Sequence, residues 1–482
     1  MWAVSCPLFG QSESLNLYLK MAGENNPAVR AAFHMYEAAL QRVPQMGALD
    51  DPQLEAGFFL DPMNLVDGRQ IGSLRLMQMF PWFGTRKAAR TEAGHMAEMA
   101  FEQFREIRDN LYLEVYTQWY TLCSLQQQLA NSRSNREWLQ QLETLALQRY
   151  RSATSTSPSK SPQRGTDTAI EVAGNASGMG GMNMGGTTTG GETATSSSGS
   201  SKVTMNMDGA TAGMTEVLRI RLELEETNNN MEDLASKIVA GKARFNALLN
   251  RPAESAVAVP DTLIQLPFDA NADSLMQIIT RQNPMLGMLH EERLAYEAKT
   301  EMARKMGYPM FGIGLEYMLI AKTTEGVTSM NNMEAAPIKT SGMNGKNMVM
   351  PMVSVSIPVY RGKHKAAQKE SSLMRQAADE KYADALNRLQ ADLYRYRQQT
   401  DDAVRKIALY RKQTAFARTT YTLILQEFAS GKGSLADLIQ VQRQLLDYRL
   451  KEAETVAAYN IAVANIWKIA SMTLTDTDKN FF

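Results

Sequence analysis

Between residues 310 and 319 the chain alternates strictly. Phe311, Ile313, Leu315, Tyr317 and Leu319 fall on one side, and Met310, Gly312, Gly314, Glu316 and Met318 on the other. The same period of two runs through 349–357, where Val349, Pro351, Val353, Val355 and Ile357 alternate with Met350, Met352, Ser354 and Ser356. Leu54, Ala56, Phe58 and Leu60 stand opposite Gln53, Glu55 and Gly57, and a fourth stretch at 73–80 follows the pattern except where Gln78 interrupts its apolar face. A period of two predicts strands with two unlike faces, here about 53–62, 71–80, 310–320 and 348–357. One such strand fits a half-buried sheet in a soluble protein. Four of them, each about ten residues long with one apolar face, fit the wall of a transmembrane barrel.

A second pattern flanks the strands. Residues 85–150 and 363–428 read as two uninterrupted helices, without proline and without glycine beyond Gly94. At 1.5 Å per residue each is about 100 Å long, which implies a coiled coil or helical tube rather than a core helix. Return helices are predicted at about 214–250 and 435–471, where Leu435, Leu438, Ile439, Leu445 and Leu446 recur at helical spacing.

The two halves repeat each other. Asn26-Pro27 recurs as Asn283-Pro284, each followed by a helical segment, at about 28–43 and 285–306. "GTRKAA" at 84–89 matches "GKHKAA" at 362–367, and "MTEVLRIRLEL" at 214–224 matches "LADLIQVQRQL" at 435–445. The offset changes from 257 to 278 and then to 221, so the second half gains 21 residues between its strands and the first gains 57 between Ser152 and Met214. The domains follow: a signal-peptide remnant at 1–10, a first repeat at 11–251 with its inserted tip loop at about 153–213, a linker at 252–275, and a second repeat at 276–475. Gly10 is the expected cleavage point, with acylation of Cys6 as the alternative. Four strands cannot close a barrel, and open strand edges are not tolerated in lipid. Three copies would supply twelve strands and a closed wall.

In this order the doubled Asn-Pro, the strand pairs ending at Pro81 and Pro358, the Gly-x-x-Lys-Ala-Ala and "FASGKGSLADLIQVQ" (428–442) resemble the TolC family of outer-membrane efflux channels. The resemblance covers about 11–475. It implies a mixed α/β membrane protein: a trimer whose twelve-stranded β-barrel continues into a long periplasmic α-helical barrel, with 252–275 in an equatorial belt. The function implied is the exit duct of a tripartite pump, with outer-membrane lipid, a periplasmic adaptor protein and an inner-membrane RND-type transporter as partners. Neither catalysis nor a cofactor is expected. At the helical tips the resemblance points to Glu216, Asp437, Phe428 and Gly431 as periplasmic mouth and gate candidates, a ring of carboxylates there favouring cations. Ser434 and Asp437 also read as a helix cap. The family's second tip aspartate falls at Gln440, and Gly433 stands where an arginine is frequent.

Composition adds one further feature. Lysine plus arginine equals aspartate plus glutamate, 51 each, which disfavours nucleic-acid binding. No apolar run of about 18 residues predicts a membrane helix. Two cysteines make no disulfide framework, and His34, His95, His290 and His364 are scattered along helices without partners at ligand spacing. Methionine is abundant, at 31 residues. Met179, Met182, Met184, Met205 and Met207 sit in the Gly/Ser/Thr-rich insertion, and Met350 and Met352 on the polar face of a strand. Thioethers are soft ligands suited to monovalent copper and, by analogy, silver, so these seven are candidate weak, exchangeable metal sites. They point to the CusC-type, heavy-metal branch of the family. The competing readings are a low-complexity filler loop, a duct for drugs or a secreted protein, and a soluble coiled-coil adaptor.

Overall fold

The computed structural model describes residues 8–65, 68–155, 209–260, 262–268, 271–322, 345–430 and 432–472. Its elements run α1 (Leu8–Asn25), α2 (Pro27–Gly47), β1 (Gln53–Leu65), β2 (Gly68–Phe80), α3 (Thr85–Ser155), α4 (Gly209–Leu248), α5 (Ala272–Gln282), α6 (Pro284–Lys305), β3 (Met310–Ala321), β4 (Met348–Ser356), α7 (Arg361–Ala429) and α8 (Leu435–Ile469). The repeat is reproduced element for element, with α1 to α4 in one half and α5 to α8 in the other. Each repeat opens with a helix that the pattern reading passed over. The expected cleavage point at Gly10 falls inside α1, and the expected linker at 252–275 gives up 272–275 to α5. α3 extends to Ser155 and α4 begins at Gly209. Cys6 and Met179, Met182, Met184, Met205 and Met207 lie outside the described residues.

The repeated Asn-Pro has a physical cause. Asn283 ends α5, its amide N–H donating to Ile279 O, and it starts α6, its Oδ1 accepting from the N–H groups of Met285 (3.0 Å) and Leu286 (3.2 Å). Pro284 at the first helical position has a preset φ and no N–H to satisfy. The free end of the same side chain, Nδ2, donates to Ile469 O at 2.8 Å, the last residue of α8. Asn26 repeats the arrangement: it caps Ala28 N–H at 2.9 Å and donates from Nδ2 to Leu248 O at 2.9 Å, the last residue of α4. The junction of the first two helices of each repeat is thus pinned to the end of its return helix, whose last carbonyls have no intrahelical donor.

The chain forms two compact units. The larger comprises Met1–Asn131, Asp233–Phe416 and Asp447–Phe482; the smaller comprises Ser132–Glu232 and Ala417–Leu446. In the larger unit the core is built from α1, α2, α3, α4, α5, α7 and α8. Tyr18 lies 5.5 Å from Trp119 and 5.2 Å from Phe245 between ring centroids, fastening three helices through one aromatic cluster. The segment between α4 and α5 is laced to this core by side-chain amides. Buried Asn460 accepts from Leu266 N–H and donates to Ile264 O, and Gln127 accepts from Leu263 N–H. Cys123 is buried in the same core, and burial pushes its thiol up to about 12.

The larger unit also holds a four-stranded antiparallel sheet in the order β1-β2-β3-β4. Its burial is inverted relative to a soluble sheet. Phe58 and Val353 on the apolar face are each 77 % exposed, whereas Glu316 on the polar face is 7 % exposed. Gln78 remains on the apolar face in register with Ile313, its amide satisfied by the carbonyls of Asp50 (2.7 Å) and Met79 (3.1 Å).

Two measurements check this account. Asn283→Ala removes both a cap, worth about 1 kcal/mol, and the donor to Ile469 O, worth about 1–3 kcal/mol when a buried acceptor is orphaned. Asn283→Asp keeps the cap and loses only the donor, so thermal unfolding in detergent should rank wild type above Asn283→Asp above Asn283→Ala. The second concerns the buried thiol. With its ionisation raised to about 12, almost no thiolate exists at pH 8, and thiolate is the reactive form. Peptide mapping should show Cys123 unlabelled by maleimide in the folded protein and labelled after denaturation.

Candidate functional site

In the smaller unit α7 turns into α8. Lys432 and Gly433 both donate their N–H groups to Glu427 O, closing the helix end. A Cβ at Gly433 would lie 2.7 Å from Phe428 N, so the turn has no room for a side chain where the family frequently has arginine. The Ser434 hydroxyl accepts from Ala436 N–H at 3.2 Å and starts α8. Asp437 follows in the first turn, exposed, where the helix dipole favours an acid. Glu216 is partly exposed near the start of α4.

These two carboxylates hold equivalent places. Each directly precedes a fully buried residue, Val217 or Leu438, of one apolar cluster that also contains Leu139, Leu142, Ile220, Leu435 and Phe428. Phe428 is wholly buried there, its ring 4.9 Å from the Arg149 guanidinium. It therefore packs inside the unit rather than presenting its ring at the surface. Gly431 lies outside the described residues.

Pattern reading missed the ion pairs beside this cluster. Arg443 on α8 grips Glu223 on α4, with Nε donating at 2.9 and 2.8 Å and Nη2 also donating; Glu226 lies 3.6 Å away. The contact keeps the guanidinium protonated even more firmly than usual, chiefly through the hydrogen bonds to Glu223. Arg221 on α4 pairs with Glu143 on α3 at 2.8 Å. Buried Gln442 donates to Asn135 at 3.2 Å. The partners are distant in sequence, so single-helix periodicity carried no signal for them.

The second surface is the polar face of the sheet. Cross-strand register places Glu55, Arg75, Glu316 and Met350 in one row, and Gln53, Met77, Gly314 and Met352 in the next. Arg75 bridges Glu55 at 3.4 Å and Glu316 at 3.3 Å, so the row carries one uncompensated negative charge. Met350 and Met352 occupy this face as expected. Met77 and Met79 join them, a second M-x-M spacing that was legible in "MQM" but not singled out. At the helix-proximal ends of β2 and β3, Trp82 stacks on Tyr308 (5.2 Å) and Phe311 (5.9 Å). Aromatic rings at the end of an outward apolar band form the girdle expected at a membrane interface.

Histidines do not assemble a site. His95 nonetheless has a partner, Glu291 Oε2 at 2.7 Å on α6, and His34 pairs with Glu37 at 2.9 Å. Among the described residues no group of three or more His, Cys, Asp or Glu side chains is placed to hold a metal. No helix among them is long and apolar enough to cross a membrane.

An outward apolar sheet face, an inward polar one and long helices in two repeats are the architecture of an outer-membrane channel. The family model for outer membrane efflux protein matches residues 275–470. CusC, solved in a study of folding and transmembrane channel formation, shares the fold with a TM-score of 0.66 at 13% identity, covering 96% of this chain and 92% of its own. VceC from Vibrio cholerae gives 0.66 at 11% identity, covering 95% and 96%. The open-state Neisseria gonorrhoeae MtrE channel gives 0.63 at 11% identity, covering 95% and 89%. No curated protein sequence matches the chain. The chain thus shares the fold of these outer-membrane channels, and its residues 275–470 match the family model for outer membrane efflux protein.

The two arginine pairs in the smaller unit should differ in weight. Glu223 is nearly buried, its side chain 11 % exposed, so Arg443→Ala orphans it at a cost of about 1–3 kcal/mol. Arg221→Ala breaks a more exposed pair, worth about 0–1 kcal/mol. Hydrogen exchange should show protection lost at 220–226 and 440–446 in Arg443→Ala and nearly unchanged in Arg221→Ala.

Proposed function

We propose that the chain forms a homotrimeric exit duct that passes copper or silver ions out of the periplasm, working with a periplasmic adaptor protein and an inner-membrane RND-type transporter. The sheet supports the trimer. Among the described residues the outer strands β1 and β4 each have one neighbour within the chain, and lipid does not tolerate unpaired strand edges. Three copies bring twelve strands, enough for a closed barrel. Conduction is passive: the polar sheet face lines the path, and the apolar face meets lipid.

The observation that carries the cargo reading is where methionine is placed. The insertion with Met179, Met182, Met184, Met205 and Met207 joins α3 to α4 in the repeat that alone has it, and Met350 and Met352 stand on the polar face of β4. Thioethers favour monovalent copper and silver over harder ions. Weak, exchangeable contacts suit a conduit, because an ion must be able to leave each site it enters. Glu216 and Asp437, three copies of each, would favour cations at the periplasmic mouth, with the Phe428 cluster supporting them. The same channel exporting drugs or a secreted protein is the alternative cargo.

Deleting 154–212 tests the cargo. In cells that depend on this chain, copper and silver tolerance should fall while drug tolerance and outer-membrane trimer levels hold. Unchanged metal tolerance with reduced drug tolerance would overturn the metal reading.

A further inference from the structure

The polar face of the sheet contains a gap. β3 carries no side chain at Gly312 and Gly314, and methionines from both neighbouring strands fold over them. A Cβ at Gly312 would lie 2.6 Å from Met79 Sδ, and one at Gly314 would lie 3.6 Å from Met352 Cε. Met77 and Met352 are the two register partners of Gly314, one on each side. Met79 and Ser354 are the corresponding partners of Gly312. The gap is crossed: the Ser354 hydroxyl on β4 lies 3.9 Å from Met77 Sδ and 3.7 Å from Met79 Sδ, both on β2. Any larger residue at either glycine would stand between these groups.

We propose that Met77, Met79 and Met352 form a thioether site for one monovalent soft cation, Cu(I) or Ag(I), on the floor made by Gly312 and Gly314. Ser354 holds the two β2 sulfurs toward the gap when it is empty. Three neutral sulfurs match the low coordination number and softness of these ions and offer little to zinc or magnesium. Neutral ligands leave the ion's charge uncompensated. The next row supplies the balance, because Glu55 and Glu316 flank the single Arg75 and leave one negative charge. The site rests on the copper and silver reading for its biological meaning, but its existence can be tested apart from it.

The test uses the full chain purified in detergent, with Ag+ as the probe, since silver needs no reductant. Bound silver is measured by equilibrium dialysis and metal analysis for the parent and for M77L/M79L/M352L, which removes sulfur at nearly constant volume. The segment 154–212 is present in both, so its contribution cancels. The variant should bind about one ion fewer per chain; equal binding overturns the site. If the triple variant does not recover as the parent's oligomer, the parent and Met79→Leu are compared with 13C-methyl methionine labelling. The Met77 and Met352 methyl resonances should move with Ag+ in the parent and move less in Met79→Leu, and immobile resonances in the parent overturn the site. Silver lost from the triple variant with cellular silver tolerance unchanged keeps the site and removes the cargo reading. Unchanged binding, with tolerance still dependent on 154–212, does the reverse.

Discussion

The side-chain amide of Asn283 sets the geometry on which the rest of the second repeat depends. It closes one helix, opens the next, and holds the end of α8 through Ile469 O. Asn26 performs the same joining with Leu248 O. Within the larger unit the last carbonyl of each return helix is thereby fixed to the junction of the first two helices of its own repeat. The interaction is short-ranged and buried, so few other residues could supply it: aspartate lacks the donor, and glutamine places its amide one methylene too far for the cap. Duplication copies the whole clamp, and this explains why a dipeptide survives as a landmark where the surrounding sequence has diverged.

The sheet obeys a different constraint. Its apolar side chains point away from the protein and its charged ones point in, an arrangement suited to hydrocarbon rather than water outside. The inward face then has to satisfy charges within itself. Arg75 between two carboxylates does so in one row, and glycines thin the next. Trp82 stacked on Tyr308 and Phe311 marks where this regime ends and water-facing helices begin. The same chain therefore reads hydrophobicity in opposite senses, inward in the core around Trp119 and Phe245 and outward along β1 to β4.

Much of this was legible in the sequence, because period and offset survive divergence. Strand faces follow from alternation alone, and the shared places of Pro27 and Pro284 follow from repetition. Two helices were missed for opposite reasons: α1 begins in an apolar stretch that reads as a leader, and α5 is a short helix of 11 residues between prolines. The ion pair of Arg443 with Glu223 joins residues separated by 220 positions, and periodicity within one helix holds no information about that. Met77 and Met79 were visible as letters. Their meaning depends on strand register, which brings them beside Gly312, Gly314 and Met352 only after pairing.

The choice of sulfur type on the polar face is consistent with transit rather than storage. A thiolate binds soft cations tightly and exchanges them slowly in a closed site, whereas a thioether carries no charge and holds them less firmly. Cys123 is kept in the helical core with its ionisation pushed up to about 12, so it offers no thiolate to a passing ion. The sulfur that faces the proposed path is thioether, beside a row bearing one net negative charge. A cation at the proposed site would be held by neutral thioethers less firmly than by a thiolate. Conduction needs that balance, since a site that binds its ion too well becomes a plug. Glycine on β3 completes the arrangement, because it provides a shallow floor open to the polar side rather than a cage, and an ion held on an open floor can be passed on.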